Sequence, residues 1–186
     1  MRLSEARVVL TGASGGIGLA IAGALCAQGA KVLAVARHGD PLAHLLELYP
    51  QHLCWVAADL TFLADRRKVL VAAQAIGGIN LLINAAGVNH FAMLEQLDDS
   101  EINAMLAVNI SAPICLTKTL LPLLKEAESA MVVMSAPPMA RSATPALPAT
   151  APLNSPCAGS PKPCAASWPI PGSACCMSLH GPPAPA

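Results

Sequence analysis

The chain has 186 residues and a formal net charge of zero at pH 7, with 54% hydrophobic and 12% charged residues. This length supplies one domain with a substantial core, and the zero net charge argues against nucleic acid as a partner held by bulk electrostatics. The first residues carry charges and no long apolar segment, so we expect neither a secretory signal nor a membrane partner and predict a cytoplasmic protein.

The seven cysteines do not indicate a disulfide framework. Cys26, Cys54 and Cys115 stand in apolar stretches without metal-ligand spacing, where reduced, buried thiols are expected. Cys175 and Cys176 are adjacent in a Pro-rich segment, and we assign them no metal or redox role. The sequence therefore predicts no metal site.

The first motif in the chain is TGASGGIG at residues 11–18, directly after the apolar run 8–10. Gly12, Gly16 and Gly18 lack a Cβ, so the backbone there can turn sharply, admit a pyrophosphate and pack the next helix on its strand. The amides that open this helix direct N–H groups and the positive end of its dipole towards an anion. The alternative is a Gly-rich turn without a ligand.

The second strand ends next to a cation. A helix is predicted over 17–28 and a strand over 31–36, followed by Arg37. About 20 residues past the glycines, an acid would bind the ribose 2'-hydroxyl of NAD, whereas an arginine accommodates the 2'-phosphate of NADP. The guanidinium of Arg37 offers a planar set of donors, which favours NADP(H) over NAD(H). The alternative is a solvated cation at a strand end.

The third strand, predicted over 53–58 after a short helix at 41–48, runs into Asp59 and Leu60. A carboxylate at this edge can reach the amino group of an adenine. It can equally cap the following helix, and the sequence leaves the two interpretations open.

The fourth strand ends in small residues. A helix is predicted over 62–76 and a strand over 79–83, which continues into NAAG at residues 84–87. Small side chains at a strand end leave room for a cofactor. The amide of Asn84 is predicted to link neighbouring strand ends.

A longer helix is predicted from Asp99 to about Leu120, with Asn109 inside it and Pro113 expected to bend it. Asparagine within a helix usually faces solvent or bonds locally. Residues 130–134 are predicted to form the beginning of a fifth strand. The alternation of strands and helices after a Gly-rich turn predicts an α/β protein with a doubly wound parallel sheet and a ligand at the carboxyl ends of its strands.

Five motifs in order make residues 6 to about 133 similar to the short-chain dehydrogenase/reductase family: TGASGGIG, Arg37, Asp59-Leu60, NAAG, and Asn109 within LAVNIS. The resemblance implies a Rossmann-like fold and NAD(P)(H)-dependent oxidation or reduction of a small-molecule alcohol or carbonyl. It implies an active-site, water-holding role for Asn109. It also assigns cofactor contacts to Gly12, Ser14, Gly16, Ile17, Gly18, Arg37, Asp59, Leu60, Asn84, Ala85 and Gly87.

The chain departs from the family at the residues that transfer protons. The family uses a serine near the end of the fifth strand and a Tyr-x-x-x-Lys pair on the next helix. Ser135 is the candidate serine, but the only tyrosine, Tyr49, precedes the third strand, and no Tyr-x-x-x-Lys occurs. Loss of a positioned acid or base costs about 10²- to 10⁴-fold in rate. A catalytically inactive dinucleotide-binding or interaction module, or a non-functional fragment, is therefore the alternative to an enzyme.

Composition changes abruptly near residue 134. Residues 136–186 contain 13 of the 17 prolines and no Asp or Glu. We predict a dinucleotide-binding domain at 1–133 and a Pro/Ala-rich, disordered tail at 134–186. The sheet is then incomplete after the fifth strand, which would expose an apolar edge, and a family-type homo-oligomer is not expected without the later helix and strands.

We hypothesise that the tail is translated out of frame. Back-translation with a one-base shift permits a reading that restores a serine, a YCATK motif and an amphipathic helix together. Its tyrosine codon straddles Ala149 and Thr150, and its lysine codon straddles Leu153 and Asn154. The alternative is a genuine disordered extension, for instance a polyproline II ligand.

Overall fold

The structure is a computed structural model that describes residues 2–90, 92–135 and 174–179. The strands are β1 (Arg7–Thr11), β2 (Lys31–Ala36), β3 (Leu53–Ala57), β4 (Leu81–Asn84), β5 (Ala130–Ser135) and β6 (Ala174–Leu179). The α-helices are α1 (Gly16–Ala27), α2 (Ala43–Leu48), α3 (Leu63–Ala75), α4 (Asp99–Leu106) and α5 (Ala112–Glu126). Short 3-10 turns lie at Leu3–Glu5, Asp40–Leu42 and Leu94–Gln96, and a π turn at Ala107–Ser111 joins α4 to α5.

The strands form one sheet in the order β3-β2-β1-β4-β5-β6, and the first five are parallel. The chain winds outwards from β1 to β3, then crosses through α3 to β4 on the other side of β1. Such a reversal of strand order leaves a crevice at the carboxyl ends of the central strands. The predicted Rossmann-like, doubly wound parallel sheet is therefore confirmed, and its parallel part ends at the fifth strand as expected.

The prediction that β5 has no neighbour on its outer side is wrong. β6 pairs with β5 in antiparallel register, from Ala130 opposite Leu179 to Ser135 opposite Ala174. Pairing of this kind needs only main-chain donors and acceptors, so a segment without a strong strand pattern satisfies it. The remainder of the predicted tail, 136–173 and 180–186, lies outside the described residues.

The central strands β1, β2 and β4 are buried on both faces, because successive side chains of a strand point to opposite sides and each side is covered by helices. In β1, Val8 and Leu10 contribute to the core beneath α1 and α2, whereas Val9 contributes to the core beneath α3 and α5. A parallel strand covered on both faces is apolar along its length, which explains the run at 8–10.

The helical stretch from Asp99 to Glu126 is longer than predicted and contains a π turn. Pro113 stands directly after that turn, at the start of α5, and Pro122 lies within α5. By length and composition the stretch could cross a membrane, since an 18-residue window within it has a mean hydropathy of 1.5. Its buried leucines nevertheless pack on the sheet as part of the core: Leu116, Leu120, Leu123 and Leu124.

Candidate functional site

A cavity of about 300 Å³ opens at the carboxyl ends of β1, β2 and β4, where the strand order reverses. Eight of the eleven predicted cofactor contacts line it: Gly12, Ser14, Arg37, Asp59, Leu60, Asn84, Ala85 and Gly87. The other three, Gly16, Ile17 and Gly18, form the first turn of α1 beside it.

Two glycines of the turn after β1 are required by space. Gly12 has φ +67°, and a Cβ there would lie 2.7 Å from the carbonyl oxygen of Ala85 and from main-chain atoms of Ala86. A Cβ on Gly18 would collide with the carbonyl oxygen of Gly12 and lie 2.8 Å from Cα of Ala13. Gly16 differs, since a Cβ there would meet nothing within 4 Å. The open space next to Gly16 fits a ligand that approaches the main chain.

The first amides of α1 can bind a hydrogen-bond acceptor from outside the helix. Gly15 is its N-cap residue, and no side chain in the described ranges caps the helix, whose first turn contains no acidic residue. The first amides of a helix have no acceptor within the helix, and they carry the positive end of its dipole. Ile17 in this turn is 60% exposed, which leaves the helix start accessible from solvent.

Thr11 joins the two strands that form the floor of the cavity. Thr11 is buried and only 1% exposed. The hydroxyl oxygen accepts hydrogen bonds from the amides of Ala85 and Ala86, each at 3.0 Å, and donates to the carbonyl of Ile83 at 3.5 Å. Sequence reasoning missed this role. The available signal was a hydroxyl at the last position of β1, next to a strand that ends in small residues.

Arg37 follows β2 directly and lines the cavity with an exposed side chain. Within the described part of the chain, its guanidinium makes no hydrogen bond and no ion pair. The donors of Arg37 are therefore free for an anionic group in the cavity.

Asp59 stabilises the turn after β3. Its Oδ1 accepts hydrogen bonds from the amide of Thr61 at 2.9 Å and from the Thr61 hydroxyl at 2.6 Å. Such an Asx turn is local, and the N-cap residue of α3 is Phe62, which makes no side-chain cap. Asp59 therefore does not cap the helix, and the adenine contact stays a prediction.

Asp65, in the first turn of α3, supports the main chain of Asp59. Its Oδ2 accepts the Asp59 amide at 2.8 Å, and its Oδ1 pairs with Nζ of Lys68 at 2.7 Å. The hydrogen bond from Lys68, followed by that from the Asp59 amide, lowers the pKa of the Asp65 carboxyl. The wall of the cavity at Asp59 is thus tied to α3.

Asn84 links β4 to β5, as predicted. Its Nδ2 donates to the sulfur of Met134 at 3.2 Å. The residue is 4% exposed, and its buried Oδ1 has no hydrogen-bond partner among the residues that the structure describes. A buried acceptor without a partner is costly, so a donor that enters the cavity would stabilise this position.

Asn109 lies in the π turn between α4 and α5. Its Oδ1 accepts the amide of Val88 and its Nδ2 donates to the carbonyl of Val88, both at 2.9 Å. Pro113 has no N–H to offer the Asn109 carbonyl, its acceptor in a regular α-helix. The side chain of Asn109 thus positions the loop after β4, and its catalytic role stays a prediction.

Two further residues singled out in the sequence do not line the cavity. Ser135 is exposed at the end of β5. Tyr49 follows α2 and packs on the core beneath α1 and α2. It precedes β3 and so lies near the amino ends of the strands, whereas the cavity lies at their carboxyl ends. No tyrosine or lysine is among the described residues that line the cavity, so nothing there matches the family's proton donor.

The site has the chemistry of a dinucleotide cleft. It combines an open main chain at Gly16, a helix N-terminus without a cap, a free guanidinium and a buried acceptor in need of a donor. Within the ranges that the structure describes, no group of three or more His, Cys, Asp or Glu side chains is placed to hold a metal ion.

Comparison with known proteins agrees with this geometry. A family model described as short chain dehydrogenase matches residues 6–149. D-beta-hydroxybutyrate dehydrogenase of Cupriavidus necator is 30% identical over 136 residues, which cover 70% of this chain and 52% of that protein. Oxidoreductase BOA17 of Botryotinia fuckeliana is 33% identical over 125 residues, 64% of this chain and 44% of that protein. The chain spans about half the length of these curated relatives.

Solved structures show the same fold. A short-chain dehydrogenase from Streptomyces avermitilis superposes with a TM-score of 0.62 at 31% identity, over 66% of this chain and 46% of that one. The KRED1-Pglu enzyme superposes with a TM-score of 0.73 at 25% identity, over 81% of this chain and 65% of that one.

Proposed function

Because the chain belongs to the short-chain dehydrogenase/reductase family, whose members use an NAD(P) dinucleotide, we propose that it binds NADP(H) in preference to NAD(H) in the cavity at the carboxyl ends of β1, β2 and β4. The pyrophosphate would lie against the first turn of α1. The adenosine end would lie between Arg37 and the Asp59-Leu60 turn, and the nicotinamide end would lie towards Asn84, Ala85 and Gly87.

Arg37 is the observation that carries the preference. Its guanidinium lines the cavity without any described partner, and no acidic residue stands at the end of β2 to accept the ribose hydroxyls of NAD. A free guanidinium forms charge-assisted hydrogen bonds with phosphate. It gains nothing comparable from an uncharged 2'-hydroxyl.

The reaction class proposed for the site is oxidation of an alcohol or reduction of a carbonyl. The bound nicotinamide would accept or supply the hydride. The chain's own residues would bind and orient: Asn109 holds the loop beside the cavity and would hold a water molecule, as the family resemblance implies. Ser135, which lies at the end of β5 and does not line the cavity, is the candidate for contact with the substrate oxygen on the basis of the family resemblance. The protein would act in the cytoplasm on a small molecule, without nucleic acid or membrane as a partner.

A second candidate is a dinucleotide-binding module without turnover. It is favoured by one observation, the absence of a Tyr-x-x-x-Lys pair from the entire sequence. We attribute that absence to a shifted reading frame after about residue 134, and we place the domain boundary at residue 133. Sequencing the DNA across codons 130–140 in independent isolates tests this hypothesis, and an identical reading frame in every related gene contradicts it.

The cofactor proposal is tested by titrating the protein with NADPH and NADH while nucleotide fluorescence is followed. We expect tighter binding of NADPH. Arg37→Gln should raise the Kd for NADPH by about 10-fold or more, the value of a hydrogen bond to a charged group, and leave NADH unchanged. Arg67→Gln is the matched control, because Arg67 is exposed on α3 and does not line the cavity. Equal binding of both nucleotides contradicts the proposal.

Turnover is a separate question with its own assay. Consumption of NADPH that depends on an added carbonyl compound distinguishes an enzyme from a binding module. NADPH binding without consumption across a broad carbonyl panel supports the module.

A further inference from the structure

Trp55 lies against the turn that carries Arg37. The contact is with Gly39, two residues after Arg37. A Cβ built on Gly39 would lie 2.8 Å from both Cη2 and Cζ2 of Trp55 and 2.9 Å from Cζ3. A point almost equally distant from three consecutive carbons of a six-membered ring lies above the face of that ring. The main chain at Gly39 therefore rests on the face of the indole.

Glycine at residue 39 leaves space for the ring of Trp55, and the backbone conformation there does not demand glycine. Its φ of −95° and ψ of −17° fall in the right-handed helical region, which every residue adopts without strain. A Cβ as close as 2.8 Å to ring carbons would force either the ring or the turn to move. Gly39 is thus matched to Trp55.

The turn is held at both ends, and Trp55 contacts the second of these ends, at Gly39. At one end, the carbonyl of Ala36 accepts the amide of Ala58 at 3.1 Å. At the other, the carbonyl of Gly39 accepts the amide of Leu42 at 2.8 Å, and the Leu42 side chain is fully buried. Arg37 and His38 lie between these anchors with exposed side chains.

Trp55 belongs to neither hydrophobic core. It lies in the outermost strand β3, opposite Ala34 of β2, and is 39% exposed. An aromatic ring at an exposed strand position contributes little by burial in the core. Its described packing partner is the turn after the neighbouring strand.

We propose that Trp55 is a positioning residue for cofactor selectivity: its indole supports Gly39 and so holds the Arg37 turn at the mouth of the cavity. This inference rests on the proposed preference for NADP(H). Without the ring, the segment between Ala36 and Leu42 has more conformations available, and the guanidinium of Arg37 spends less time where a 2'-phosphate would lie. Binding of NADH, which lacks that phosphate, does not depend on the ring.

The test is a double-mutant cycle on Trp55 and Gly39, with Kd values for NADPH and NADH measured for each variant. Trp55→Ala should raise the Kd for NADPH by about 3- to 10-fold, a fraction of the full loss of a charged hydrogen bond, and change that for NADH less than about twofold. Gly39→Ala should act like Trp55→Ala in the parent chain. It should have no further effect in the Trp55→Ala background, where the ring no longer fills the space.

Two controls separate this effect from general damage. Gly23→Ala introduces a methyl group into α1, where a Cβ would make an ordinary contact of 3.5 Å with Leu45. Val71→Ala truncates an apolar side chain of α3 that is 64% exposed. Neither should change the ratio of the two Kd values. Equal weakening of both nucleotides by Trp55→Ala overturns the proposal, as does an equal effect of Gly39→Ala in both backgrounds.

A readout without nucleotide keeps the two proposals distinguishable. Trypsin cleaves after Arg37, and Trp55→Ala should accelerate that cleavage in the native protein by several-fold relative to cleavage after Arg67. An unchanged rate overturns the positioning role even if NADPH is preferred. If the parent chain does not prefer NADPH, the proposed function fails, and the role of Trp55 in selectivity fails with it. Faster cleavage of Trp55→Ala would in that case show only that Trp55 supports the turn.

Discussion

Asn109 and Val88 are joined by two hydrogen bonds of 2.9 Å that run in opposite directions between one side-chain amide and the main-chain N–H and C=O of one residue. This pair connects the π turn between α4 and α5 to the loop that follows β4. The loop borders the cavity, since Val88 lines it. The long helix therefore fixes one wall of the site.

Replacement of Asn109 should loosen that wall. Asn109→Ala removes both hydrogen bonds and leaves the Val88 amide and carbonyl without partners, which should cost about 1–3 kcal/mol of unfolding free energy. Asn109→Asp keeps an acceptor but offers no donor to the Val88 carbonyl, so it should also destabilise. Urea unfolding measures both, with Asn103→Ala on the exposed face of α4 as the control. A cost no larger than that of Asn103→Ala would contradict the role.

Thr11 should be sensitive to loss of its hydroxyl and tolerant of loss of its methyl group. Thr11→Val is nearly isosteric and leaves the buried amides of Ala85 and Ala86 without their acceptor. We expect a loss of about 1–3 kcal/mol or more and weaker binding of dinucleotide. Thr11→Ser keeps the oxygen and should lie closer to the parent chain in both measurements. Similar stability of the valine and serine variants would show that the hydroxyl contributes nothing.

Two glycines of the same motif should respond differently to a methyl group. Gly18→Ala would place a Cβ against the carbonyl of Gly12 and should destabilise by about 3 kcal/mol or more, since main chain must move. Gly16→Ala meets open space and should leave the thermal midpoint of unfolding nearly unchanged. Its effect should appear instead as a higher Kd for dinucleotide. A stable Gly18→Ala variant would mean that α1 does not pack on β1 as described.

Cys26 should be unreactive in the native protein. Burial, with a smaller effect from Cys54, raises the pKa of the Cys26 thiol to about 11, so the thiolate is scarce at pH 8. Iodoacetamide at pH 8 followed by peptide mapping should show modification of Cys26 only after denaturant is added.

The same shift predicts the alkaline behaviour of the protein. The pKa of the Cys26 thiol in the folded state is raised above the ordinary value of 9.0. The contribution of this thiol to the free energy of unfolding is therefore fully present below pH 9 and is lost as the pH rises towards 11. Cys26→Ser should lessen that decline. Rapid alkylation of Cys26 in the native state at pH 8 would be inconsistent with its burial.

Asp65 should give the opposite pH dependence. Its pKa is lowered from 3.8 by the Lys68 and Asp59 hydrogen bonds, so its contribution to stability is present above pH 3.8 and is lost as the pH falls through the lowered pKa. At pH 7, Asp65→Asn keeps an acceptor for the Asp59 amide and should be destabilised less than Asp65→Ala. The difference between the parent chain and Asp65→Asn should shrink in acid. A difference independent of pH between 3 and 7 would exclude a charge effect.

The first five strands and the parallel sheet that they form were predictable because apolar runs alternate with helical spacing and turns along the chain. The loop glycines were predictable only in part. Gly12 and Gly18 belong to a motif with a known spacing, whereas Gly39 looks like an ordinary loop glycine until Trp55 is placed on it. A requirement created by a residue in another strand leaves no local pattern.

The interactions of the site's polar side chains were less predictable than their positions. Eight predicted contacts line the cavity, but the bonds of Thr11 and Asn109 join residues far apart in sequence. The helix that contains Asn109 was predicted to end near Leu120, yet it continues to Glu126 through Pro122. The buried leucines at 123 and 124 continue its apolar face, and packing on the sheet offsets the lost hydrogen bond.

The expectation that β5 has no neighbour on its outer side was wrong for a different reason. It rested on the composition of the tail, and composition describes side chains. An antiparallel ladder is made by the main chain, so the pairing of Ser135 with Ala174 left no trace in composition.

The hydrogen bonds that the amides of Ala85 and Ala86 donate to the Thr11 hydroxyl oxygen close chain loops of 74 and 75 residues. A floor assembled from such remote segments forms only when β1 and β4 meet, and contacts of long sequence separation are slow to form. During synthesis, the chain must therefore emerge as far as Ala86 before the nucleotide site can form. Nucleotide binding consequently reports on completed folding of the sheet and not on the glycine turn alone.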